Sequence, residues 1–176
     1  KANAANFSVT IPAITETALD TVFNLLVNFK SGTYTLNTFT LYVKLPNDVY
    51  KLETCVISNG TFIIEKLENL KLTLSGEASK LTRGATLPST PARGTRDYQL
   101  TKELVVSVDG INLSSGLYKC SIELQNEIQW TPYETVNNAL SVTNAATSMY
   151  PSQFTLEKRI LSGSIGQYVT NAFNSN

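Results

Sequence analysis

Apolar and polar residues alternate along most of this chain with a period of two, the signature of half-buried strands. At residues 6–12, Phe7, Val9 and Ile11 alternate with Ser8 and Thr10. Residues 22–30 place Phe23, Leu25, Val27 and Phe29 on one parity, and residues 33–45 do the same with Phe39, Leu41, Val43 and Leu45. Further strands are expected at 49–58, 61–67, 69–74, 98–108 and 118–124, the last extendable through 127–130, with weaker ones at 139–143 and 154–160. Ser31-Gly32, Pro46-Asn47-Asp48, Asn59-Gly60 and Asp109-Gly110 supply the turns, and the Gly163–Gly166 piece reads as another. Residues 76–97 break the rhythm with Gly84, Pro88, Pro91 and Gly94 and read as a long loop. One segment is ambiguous: Leu19, Val22 and Phe23 also fit a short helix over 18–25. Its β-branched and aromatic content favours a strand.

About ten short strands with regularly spaced turns, and no sustained helical period, predict an all-β fold, an antiparallel Ig-like β-sandwich. A chain of 176 residues, 42% hydrophobic, fits one domain with a proper core. Residues 16–176 are expected to form that domain. Residues 1–15 read as an extended N-terminal arm of polar lead, strand and linker.

Composition narrows the chemistry. There is no histidine, the side chain that titrates near neutrality and most often binds metals. Serines abound, but none has a histidine to activate it and none opens an S-x-x-K motif. Glu53, Glu65, Glu68, Glu103, Glu123 and Glu127 sit mostly at the polar parity of strands, as solvated faces do. Neither Asp109-Gly110 nor Gly163–Gly166 has the lysine or helix context of a phosphate loop. The chain is therefore not expected to be an enzyme or to carry a cofactor or metal. Fourteen basic and fourteen acidic residues give zero formal charge, which argues against a nucleic-acid partner or a polybasic membrane contact. Little charge repulsion favours self-association. No run approaches the roughly 18 apolar residues of a membrane span. The chain opens on Lys1, as expected of a cleaved signal peptide or of a trimmed piece.

Cys55 and Cys120 lie in expected strands 65 positions apart. Two lone cysteines do not make a zinc site. They read as a disulfide tying two strands, worth about 4 kcal/mol in the chain-entropy model, or as two buried free thiols. Three N-x-[ST] sequons, at Asn6, Asn59 and Asn112, are candidate glycosylation sites, and with the Thr/Asn/Ser-rich surface they point to an extracellular setting. Lys80, Arg83, Arg93 and Arg96 make the 80–96 loop basic, either an anion- or partner-docking patch or a solvated connection.

The run Ser115-Gly116-Leu117-Tyr118-Lys119-Cys120 resembles the tyrosine corner of immunoglobulin-like sandwiches. That resemblance implies a Tyr118 hydroxyl tucked against upstream backbone and a Cys55–Cys120 bridge across the sheets. No tryptophan follows Cys55 at the antibody spacing, since Trp130 lies after the second cysteine. In outline, a clean first strand followed by a linker and a sandwich is similar to pilins of the chaperone–usher class and the thread pilins of archaea. The resemblance implies that Phe7, Val9 and Ile11 form a donor strand filling the core of the next copy, by strand addition. The expected function is then that of a structural subunit of an extracellular, pilus-like filament. Its partner would be itself, head to tail, with a glycan or surface protein as a possible ligand. The alternatives are an Ig-like receptor or adhesin ectodomain, and a viral capsid or fibre protein. In either, residues 6–12 would be the first strand of their own sandwich.

Overall fold

A computed structural model of the chain describes residues 4–11, 16–89, 106–113, 116–130, 151 and 153–168. Its elements are β1 (Ala5–Ile11), α1 (Glu16–Leu26), β2 (Phe39–Leu45), β3 (Asp48–Glu65), β4 (Lys71–Ala78), β5 (Lys80–Arg83), β6 (Val106–Val108), β7 (Ile111–Leu113), β8 (Leu117–Trp130) and β9 (Phe154–Gln167). Among the described residues the protein is all-β apart from α1, and every strand pairing is antiparallel.

The 18-residue β3 organises the molecule. Its second half lies at the centre of a sheet ordered β1-β4-β3-β8-β9, while its first half pairs with β2 on one side and β5 on the other. The strand turns between these roles at Thr54, a β-branched residue held at φ 51°. Such a conformation is costly outside a corner that the surrounding structure dictates. Beside it, Ser79 breaks β4 from β5, and its backbone N–H and hydroxyl both donate to the Glu53 carbonyl (2.9 and 3.2 Å). Two sheets thus share a bent strand, giving a sandwich-like arrangement that is not closed. Asp109 and Gly110, both at positive φ, make the expected tight turn between β6 and β7.

Residues 16–26 form a helix, correcting the start of the strand expected at 22–30 and bearing out the short helix that the sequence also allows over 18–25. Val22 and Leu26, one helical turn apart, pack on Ile57, Phe62, Leu72, Leu74 and Leu124. Phe23 stacks on Phe62 with ring centroids 5.0 Å apart. The helix wins over local β-propensity because it covers the apolar face of the sheet, which among the described residues no second sheet covers there. A smaller core of Leu52, Cys55 and Ala78, with Ala5, Phe7, Phe39 and Leu41 around it, fills the bend.

Gly60, Gly76 and Gly166, like Gly163, lie inside strands and not in the turns or loops expected for them. Gly60 lies beneath Leu26, so Asn59-Gly60 is not a hairpin and β3 runs straight through. Gly76 is the slot for the Phe7 ring, which carries β4 into the stretch expected to be loop. Gly166 lies under the Tyr118 ring, so Gly163–Gly166 belongs to β9 rather than to a turn. A close approach that only glycine allows, not a reversal of the chain, explains all three.

Candidate functional site

Among the described residues, the two end strands of the main sheet order, β1 and β9, and one polar groove are the features from which a function can be built. The first edge is β1. Seven residues, Ala5 to Ile11, pair with Ala78 to Leu72 of the same chain, so the segment read as a detached arm is in place within its own sheet. Phe7 lies edge-on to Phe39 (5.8 Å) and over Gly76, and Ile11 packs on the main core. Val9 is half exposed on the same face. Among the described residues β4 is the only strand that β1 pairs with, which makes it an edge strand.

The groove, about 450 Å³, opens where β3, β4, β8 and β9 come together. Its walls are polar: Ser58 and Asn59 from β3, Ser75 and Glu77 from β4, Gln125 and Glu127 from β8, Glu157 from β9. The register shifts of β3 between Ile57 and Asn59, and of β8 between Glu127 and Ile128, break the pleat here. The Trp130 indole N–H donates to Glu77 Oε2 at 2.6 Å and fixes that carboxylate. Asn59 Oδ1 is buried and accepts no hydrogen bond from the described residues. The set offers acceptors for hydroxyl or amide donors. Among the described residues no group of three or more His, Cys, Asp or Glu side chains could hold a metal ion, and no helix is long and apolar enough to cross a membrane.

Asn126 and Arg159, behind the groove, escaped the sequence reading. Asn126 is 2% exposed; its Nδ2 donates to the carbonyls of Leu26 (3.0 Å) and Ile57 (3.2 Å), fastening the end of α1 to β3. Its Oδ1 accepts from Arg159 Nε at 2.8 Å, and the guanidinium lies 4.7 Å from the Phe29 ring centre. Burial pulls the Arg159 pKa below its ordinary value. The available signal was parity, because Asn126 continues the row of Cys120, Ile122 and Leu124, where a polar residue needs a buried partner.

Other expected features are dispersed. The two cysteines are free thiols, which corrects the disulfide. Cys120 pairs with Ile64 while Cys55 lies nine residues back along β3, about 30 Å away by strand rise. A disulfide needs Cα atoms within about 7 Å. Burial raises the Cys55 thiol pKa. Of the sequons, Asn6 is exposed on β1, and the backbone of Asn112 lies in the β6–β7 hairpin. Asn59 sits mid-strand, paired with Ser75 and Gln125 rather than at the hairpin turn expected for it. The Tyr118 ring lies over Gly166 and 4.7 Å from that of Tyr168, packed on β9. Of the basic residues of the 80–96 stretch, Lys80 and Arg83 belong to β5 rather than to a loop, Arg83 is hydrogen-bonded to Asp48, and Arg93 and Arg96 lie outside the described residues.

Compared with protein-family models and with curated proteins, the chain matches none.

Proposed function

We propose that this chain is a structural subunit of an extracellular filament, assembled head to tail by passing β1 from its own β4 to the β4 of the next copy. The observation that carries this reading is that β1 is an uncharged edge strand held by one ladder. Every pair it makes in its own molecule can be made again in a neighbour. Exchange therefore changes connectivity and leaves the contacts the same, the low-cost route by which identical chains join. A head-to-tail exchange whose rotation does not close a ring grows into a fibre. Phe7 and Ile11 anchor the strand in its slot, and net charge zero imposes little repulsion between subunits.

The test uses the Ser8–Ser75 pair of the β1–β4 ladder. The full chain carrying Ser8→Cys and Ser75→Cys, oxidised, holds β1 in its own molecule. Negative-stain microscopy is expected to show fibres from the wild type and from the reduced variant, and none from the oxidised one. Deleting residues 1–12 is expected to stop extension as well. Fibres that grow with β1 locked, or a wild type that forms none at high concentration, would sink the reading. The groove favours a second one, an adhesin that takes a glycan through amide and carboxylate acceptors, for which the unpartnered Asn59 Oδ1 speaks. A fibre-less protein that binds a glycan there would carry it.

A further inference from the structure

We propose that the outer edge of β9 is a docking surface for the β9 of a second copy, paired antiparallel about a two-fold axis through Gly163. This goes beyond the filament reading and uses the opposite edge of the sheet.

β9 ends the sheet order, and among the described residues only β8 pairs with it. Native edges are blunted by charge, proline or bulges. From Ile160 to Gln167 this one has no charged residue and no proline, and the β8–β9 register is unbroken from Ile160 to Gly166. Its face is bare as well. Leu161 is opposite Leu124 and Ile165 opposite Cys120, on the apolar side of the sheet, yet Leu161 is 69% exposed and Ile165 46%. Ile122, between them on β8, is exposed too. The core contacts of α1 are with β3, β4 and β8.

The occupant is read from the sequence of the strand, which is chemically palindromic about Gly163: Ser162 and Ser164 flank it, then Leu161 and Ile165. Antiparallel pairing with Gly163 opposite Gly163 sets Leu161 against Ile165 of the second copy, twice, on the apolar face. Ser162 meets Ser164 of the second copy on the other face. There it extends the hydroxyl contact that Ser164 already makes with Ser121 at 2.7 Å. Arg159 falls opposite Gln167, so no like charges meet. The other edge, β1, is the competing occupant. Four antiparallel steps make β1 and β9 run the same way, so a translated copy would pair them in parallel, the weaker ladder.

Two full-length variants, Ser162→Cys and Ser164→Cys, test the register; both positions are exposed and the native thiols are buried. Mixed and oxidised with glutathione disulfide, they are expected to give a dimer on a non-reducing denaturing gel. Each variant alone should give at least ten-fold less, because like positions are then diagonal and too far apart to bridge. Leu161→Lys in both partners should lower the dimer at least ten-fold. No dimer from the mixture, equal dimer from each variant alone, or loss caused by Val9→Lys instead of Leu161→Lys would overturn the proposal. A denaturing gel reads this bond whether or not fibres form, so the result is separate from the fate of β1.

Discussion

Asn126 shows how much one side chain can hold. It is a buried amide whose donors satisfy two carbonyls on different elements and whose oxygen receives an arginine. Asn126→Ala leaves all three partners short in a dry site, where each unmet group costs about 1–3 kcal/mol. Some relaxation is expected, so the loss in urea unfolding should be about 2–4 kcal/mol. A loss under 1 kcal/mol would mean the network is dispensable. The cysteines test the fold at the same scale. Both are buried, and burial disfavours the Cys55 thiolate, the reactive form. A thiol reagent is expected to label neither in the native protein and both after denaturation. The intact mass should be that of two reduced cysteines. A mass two protons lighter would mean that the strand register is wrong.

At the scale of elements, Asp48 joins the start of β3 to the end of β5. Its carboxylate accepts from the Arg83 guanidinium and from the backbone N–H groups of Val49 (2.9 Å) and Gly84 (3.2 Å). The Arg83 hydrogen bond, first among these, holds the Asp48 pKa below its ordinary value. A carboxylate depressed in the folded state stabilises the protein above the unfolded pKa of about 4, and that contribution disappears as pH falls through the folded value. Asp48→Asn should therefore lower the urea midpoint at about pH 7, and the gap from wild type should close as pH falls through the lowered folded pKa. A gap that persists in acid would assign the effect to the turn and not to the charge. The Arg83 end of the pair is exposed to solvent, so a small gap is expected. The elements also show where local pattern misleads. For residues 22–26 alternation and helical spacing overlap, and the side that needed covering decided in favour of helix. Asn59-Gly60 has the composition of a turn, but Gly60 serves as floor for Leu26.

Among the described residues the main sheet is open, with the uncharged β1 at one end and at the other β9, whose C-terminal half from Ile160 to Gln167 carries no charge. Assembly follows from what these two ends can do. If β1 exchanges and β9 pairs with its own kind, fibres would associate side by side in twos. A chain without residues 1–12 should then stop at the β9-paired dimer, seen as one species of twice the monomer mass in sedimentation. A fibre still growing from that truncated chain would place the polymer contact elsewhere.

The order of polar and apolar residues determined by itself that the protein is all-β and antiparallel. It also determined the inward row of Leu72 and Leu74 in β4 and of Cys120 and Leu124 in β8, and the Pro46-Asn47 and Asp109-Gly110 turns. These are local facts: alternation selects a face, and the turn residues tolerate the conformations required. Only the tertiary structure decided that β1 rests on β4, that Cys55 and Cys120 lie far apart, that a helix closes one face, and that the end of β9 is bare. Each of these depends on which strands become neighbours, and that choice is made by non-local packing, to which a two-residue period is blind.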